Sequence, residues 1–155
     1  MLCQKTDALR AAVDIFYQRM LDDEKLKRFF VGTNIEALKA HQYHFMATAF
    51  TAIPKDMDVV GLIRDKHARL FQNAGLNEKH FDMVAGHLVG TLKGLGVAER
   101  EVNDAVAVVA PLRAIFQEEA AKVTTANKRQ KLQMALYITG AICIVAAGIL
   151  VKRIM

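Results

Sequence analysis

Cysteine is scarce here, and its placement excludes two classes at once. The 155 residues include two cysteines, Cys3 and Cys143, at opposite ends of the chain. Neither a disulfide framework nor zinc-ligand spacing can be made from them. The opening MLCQKTDALRAAVDIF has no apolar core behind a basic start, so no secretory leader is expected. Prolines also number two, Pro54 and Pro111, leaving long stretches free of helix breakers. There is no convincing strand alternation, internal repeat or low-complexity segment. Ser/His/Asp groupings, a glycine-rich phosphate loop and paired catalytic carboxylates are likewise missing. No basic stripe with interleaved aromatics occurs, so nucleic acid is not an expected partner.

What remains is a helical chain of one-domain size. Charged residues make up 24% and hydrophobic ones 53%, which excludes both a disordered chain and a wholly membrane-buried one. Helical periodicity runs through the first ~125 residues. Asp7 can cap a first helix whose stripe is Leu9, Ala12, Val13, Phe16, Tyr17 and Met20. Thr33 and Glu36 have capping-box spacing before a second helix, which reaches about Thr51 and is broken at Pro54. A third helix covers roughly 59–72 and ends at Asn73 to Gly75. Asn77 caps a fourth, ending near KGLGV. A last one starts near Ala98 and bends at Pro111. The reading therefore assigns residues 1–125 to an all-α domain and 126–131 to a basic linker.

From Leu132 to Val151 the chain carries no charge, flanked by Lys128, Arg129 and Lys131 on one side and Lys152 and Arg153 on the other. At ~1.5 Å per residue such a helix spans a hydrocarbon core of ~30 Å. The expectation is a single-pass C-terminal membrane anchor over 132–151. The basic flanks suit anionic lipid, and their imbalance puts the main domain in the cytoplasm. A buried core helix is the alternative.

All five histidines, at 41, 44, 67, 80 and 87, lie in the helical domain. The HxxH pair of KAHQYHF lacks the acidic partner and catalytic Glu of a metalloprotease motif. Leu38, His41, Gln42, Phe45 and Ala49 follow helical spacing on one face, so His41 and Gln42 are read as inward and His44 as solvated. On spacing alone His41 is either a ligand or a half-exposed residue at a core edge, and the second is preferred.

The stretches FYQRMLDDEKLKRFFVGTNIEALKAHQYHFMATAF and DKHARLFQNAGLNEKHFDMVAGHLVGTLKGLGV resemble the distal and proximal halves of a group I truncated haemoglobin of cyanobacterial type. The likeness covers about residues 7–115 and implies a two-over-two helical sandwich around haem b. Carried over by position, His67 matches the proximal iron ligand, and Tyr17 and Gln42 match distal hydrogen-bond donors. Phe30 and Leu38 match apolar haem contacts, and His41 a distal histidine able to act as a sixth iron ligand. With them the reading places Phe45 in the haem-binding set, and Lys39, Lys66 and Arg64 as candidate partners of the haem propionates. His80 is read as lying near the haem edge or helix start, and His87 as structural. The family's glycine pairs are replaced by Gln4-Lys5 and Thr51-Ala52, so the loop after Phe50 is expected to take its own path. No histidine follows His87, so covalent attachment of haem through the last helix is not expected. The resemblance implies binding of O₂, NO and CO, and NO oxidation with an external reductase as a candidate activity. A membrane-tethered haem redox or gas-sensing subunit and a haem-free helical adaptor are the rival readings; oligomeric state stays open.

Overall fold

A computed structural model describes the backbone of residues 2–52 and 58–154, and the side chains of residues 9–44 and 58–134. The chain divides into two compact units, Met1–Ala120 and Ala121–Met155. Among the described residues there is no β-strand.

The first unit is built from α1 (Leu2–Asp22), α2 (Ile35–Ala52), α3 (Val59–Ala74), α4 (Glu78–Gly94), α5 (Glu99–Val109) and the opening turns of α6 (Arg113–Ile154). α1 packs against both α2 and α4, and α4 against α5. The described part of this unit is all-α, as expected. The expected stripe of α1 is the observed one: Val13, Tyr17 and Met20 are buried, and Leu9, Ala12 and Phe16 are half-buried. Helical spacing puts these residues on one side, and their apolar burial drives the packing. α1 begins before Asp7, which lies inside the helix rather than at its cap; its side chain is outside those described.

Local chemistry ends and restarts each helix. After α1, the Asp23 carbonyl accepts from the Leu26 and Lys27 amides at 3.0 and 2.8 Å, and its side chain from Lys25 at 2.9 Å. A tight 3₁₀ turn, Lys27–Phe30, follows. α2 is capped one residue later than Thr33: Asn34 Oδ1 accepts from the Ala37 amide at 3.0 Å. Asparagine is among the strongest N-cap residues, and Ala37 stands at the third helical position, where its amide is an orphan donor. Asp58 does the same for α3 through Gly61. Gly75, at φ 70°, closes α3 in the left-handed conformation that a side chain disfavours. Asn77 then opens α4 with a capping box completed by His80, whose Nδ1 accepts from the Asn77 amide at 3.3 Å.

Two apolar clusters form the core. One gathers Val13, Tyr17, Met20 and Leu26, the other Phe71, Leu76, Ile115 and Phe116; Phe29 packs against both. Between α1 and α4, His87 Nε2 meets Asp23 Oδ2 at 2.9 Å, and this bond is the chief reason the Asp23 carboxyl titrates below its ordinary range. Arg113 grips Asp82 with both Nε and Nη2 at 2.7 and 2.9 Å, fastening the start of α6 to α4.

One expectation is overturned, and two others meet the structure only in part. Pro54 and the loop after Phe50 lie outside the described residues, apart from helix through Ala52. The segment 126–131, read as a linker, is helical within α6. The membrane anchor, with its lipid partner and cytoplasmic placement, is corrected: among the described residues no helix is long and apolar enough to cross a membrane. The charge-free run continues the helix that bears Lys122, Lys128, Arg129 and Lys131, and freedom from charge is necessary for a span without being sufficient. The side chains of 135–151 lie outside those described.

Candidate functional site

His67 stands on the half-buried face of α3, four residues before the buried Phe71. Its Nδ1 lies 2.9 Å from the Ile63 carbonyl oxygen. A carbonyl only accepts, so Nδ1 carries the proton and donates, which leaves the Nε2 lone pair available for a metal. The ring is flanked by Phe116 at 5.8 Å and Phe71 at 6.3 Å between centroids. An imidazole held in one tautomer between aromatic walls is how a protein presents a single nitrogen to haem iron. Among the described residues no group of three or more His, Cys, Asp or Glu side chains could hold a bare metal ion. The His67 Nε2 lone pair is a donor that fits the iron of a haem.

Across the other cluster, Tyr17 is 5% exposed and makes edge contacts with Phe16 and Phe30, at 5.7 and 6.2 Å. Burial pushes its hydroxyl up to about 12, so it remains a proton donor throughout the physiological range. Phe30 and Leu38 are half-buried and pack against the same cluster.

α2 carries the remaining distal residues, rotated relative to expectation. Its half-buried positions are Ile35, Leu38, Lys39, Gln42 and Tyr43, whereas His41 and His44 are exposed. That set has the i, i+3, i+4, i+7, i+8 spacing of a packed helix face. His41 sits ~100° away from Gln42 around the helix axis and falls off it. Gln42 therefore faces inward as expected and His41 does not. Phe45 lies outside the described side chains.

The cationic candidates separate. Lys39 Nζ is held by Asp14 at 3.0 Å and Glu36 at 3.5 Å, and the Asp14 bond is the first reason its ammonium titrates above the ordinary range. Lys66 is exposed. Arg64 turns to Glu118 and Glu119. His80 is occupied by the capping box, with Phe29 edge-on at 4.9 Å. Burial first, then the Arg28 charge, lower its affinity for a proton. Sequence reasoning missed Phe71 and Phe116. Phe71 had a signal, an aromatic at i+4 from His67; Phe116 comes from 49 residues further along the chain and had none.

An all-α fold in this element order, with a half-buried His67 on α3 and a buried Tyr17 on α1, is that of a truncated globin. The chain belongs to the bacterial-like globins, whose family model matches residues 4–118, and within them to the group 1 truncated haemoglobins. It is 40% identical over 103 residues to the group 1 truncated hemoglobin GlbN of Synechocystis sp., covering 66% of this chain and 82% of that protein. The GlbN of Mycolicibacterium paratuberculosis is 36% identical over 125 residues, 76% of this chain and 83% of its own. Among solved structures, THB4 of Chlamydomonas reinhardtii aligns with a TM-score of 0.65 at 38% identity, covering 76% of this chain and 92% of that one. The 2/2 hemoglobin of Synechococcus sp. PCC 7002, with covalently attached haem, aligns with a TM-score of 0.64 at 34% identity, over 73% and 92%. The family match stops at residue 118 and so leaves 132–151 without a counterpart in it.

Proposed function

We propose that this chain is a haem protein that binds O₂, NO and CO between Tyr17 and His67. Its cofactor is haem b, the standard globin cofactor. When bound, haem supplies the iron that takes up a diatomic gas. The observation that supports the reading is the 2.9 Å bond from His67 Nδ1 to the Ile63 carbonyl, which leaves the Nε2 lone pair available to an iron.

This chain's own residues do the rest. His67 holds the cofactor, and its shared proton makes the imidazole a stronger donor. Phe30 and Leu38 exclude water from the distal side, with Phe45 assigned there by position. Tyr17 O–H and the Gln42 amide would donate to a bound gas carrying partial negative charge; charge-assisted bonds are roughly twice as strong as neutral ones. Lys66, exposed on α3, is assigned to a propionate, and so is the more deeply held Lys39 if it leaves Asp14. The finer reading of activity is oxidation of NO to nitrate, for which a haem iron held by His67 would supply the one electron that NO and O₂ require and an external reductase would restore it. His41 belongs to this reading as a sixth iron ligand in a second arrangement, since its exposed position requires α2 to turn before it can reach the iron.

An absorption spectrum of the haem-reconstituted chain in ferric, ferrous and CO-bound forms tests the proposal. A Soret band that shifts on reduction and again on CO addition is expected. Its absence would leave a haem-free helical protein with a globin fold.

A further inference from the structure

The pair of acidic residues opposite the proximal helix has no part in the function so far. Arg64 Nη2 lies 2.7 Å from Glu118 Oε2, and Arg64 Nε lies 3.1 Å from Glu119 Oε1. One guanidinium thus meets two neighbouring carboxylates of α6, hydrogen-bonded to Glu118 through Nη2 and in charge contact with Glu119 through an Nε that is buried without a hydrogen bond. The acceptor of the His67 proton is the Ile63 carbonyl, and that carbonyl belongs to the peptide unit joining Ile63 to Arg64. The unit is planar and rigid. A restraint on the Arg64 side chain therefore acts on the residue next to the oxygen to which His67 donates. The same stretch of α6 contributes Phe116, whose ring rests 5.8 Å from the imidazole.

Resting on the haem reading above, we propose that Arg64 is a positioning residue: clamped by Glu118 and Glu119, it sets the strength and direction of the His67 Nδ1–H···O bond, and through it the donor strength of Nε2. This differs from the propionate role expected for a cation at that position, because Nη2 donates to Glu118 and Nε lies 3.1 Å from Glu119, both on α6. It also differs from a simple stabilising ion pair. The Arg64 and Glu118 side chains are 39% and 56% exposed, and pairs that open to solvent contribute little to folding. The clamp's effect is therefore expected in the iron–histidine bond rather than in the melting temperature.

The full chain, reconstituted with haem b, is compared with Arg64→Met, with the double variant Glu118→Gln/Glu119→Gln, and with all three changes together. Two quantities are read: Soret absorbance for haem retention, and the iron–histidine stretching band of the photolysed CO form by resonance Raman. Arg64→Met and the double variant are both expected to keep the Soret band and to move the stretch to lower frequency, as a looser Nδ1–H bond weakens the donor. The triple variant should lie no lower than Arg64→Met, because the effects share one path. Arg64→Lys, which keeps the charge but reaches one carboxylate, should recover part of the shift. Should Arg64→Met fail to fold, an unmoved band in the double variant overturns the proposal and a lowered one upholds it. Loss of haem in Arg64→Met with an unchanged double variant assigns Arg64 to a propionate and overturns it too. An unmoved stretch in both reduces the clamp to a surface ion pair. A wild-type chain without a Soret band refutes the haem reading itself, a result distinct from all of these.

Discussion

Tyr17 makes the sharpest residue-scale claim, because its burial and its chemistry point the same way. A phenol pushed up to about 12 has no competing ionised form near neutrality. Tyr17→Phe keeps the ring contacts with Phe16 and Phe30 and removes only the donor. Since a hydrogen bond to a charged partner contributes roughly 1.5–3 kcal/mol, O₂ release by stopped flow should quicken about tenfold or more, with CO release much less affected. His67→Gly is expected to lose the Soret band, and added imidazole to restore it by filling the vacated position; a band retained without imidazole would move the proximal assignment. His41 is judged by spin state. A low-spin ferric spectrum that becomes high-spin in His41→Ala, with faster CO binding, would show that the exposed histidine competes for the iron and lowers apparent gas affinity by the fraction of closed protein. A wild type that is already high-spin leaves Tyr17 and Gln42 as the distal donors.

At the scale of elements, the beginning of α4 ties local capping to pH. Asn77 and His80 satisfy each other's groups across one turn, and Asn77→Ala should cost about 1 kcal/mol in urea unfolding. His80 takes up its proton less readily in the fold than at its ordinary value of 6.5, through burial first and Arg28 second. Between those two values the unfolded chain binds more protons than the folded one, so stability rises with pH there. It is fully present above about 6.5 and falls as pH drops through the folded value, when protonation also removes the Nδ1 acceptor. His80→Gln should flatten that part of the unfolding midpoint against pH. Asp23 acts in a separate, more acidic window. Its carboxyl is held below 3.8 chiefly by His87, so its contribution is lost only as pH falls beneath that value.

At the scale of the molecule, the compact unit ends at Ala120, after Phe116 and the Glu118–Glu119 pair have made their contacts with α3. A chain ending at residue 120 is therefore expected to bind haem with the same spectra and CO kinetics as the full chain. A truncation that loses haem would show that residues 121–155 contribute to the pocket. The fold was largely legible in advance: the α1 stripe, the Asn77 cap and the Gly75 stop all depend on residues within a turn or two of one another. The α2 face was legible only to within one residue. Gln42 and His41 are neighbours, and periodicity without a packing partner does not say which of two adjacent residues turns in.

The sequence by itself determined most of the helices and several of their ends, and it carried enough family likeness to single out His67, Tyr17 and Gln42, because capping, periodicity and motif spacing are local properties of the chain. It did not determine the bonds that make those residues work. Asp23 meets His87, Arg64 meets Glu118 and Glu119, and Phe116 meets His67 across 49 to 64 positions. No spacing rule reaches so far; only the packing of α1 on α4, and of the start of α6 against α3, brings those atoms together. The tautomer of His67 belongs to both levels. The acceptor four residues earlier is supplied by the helix itself, while the aromatic walls that hold the ring against it come from tertiary structure.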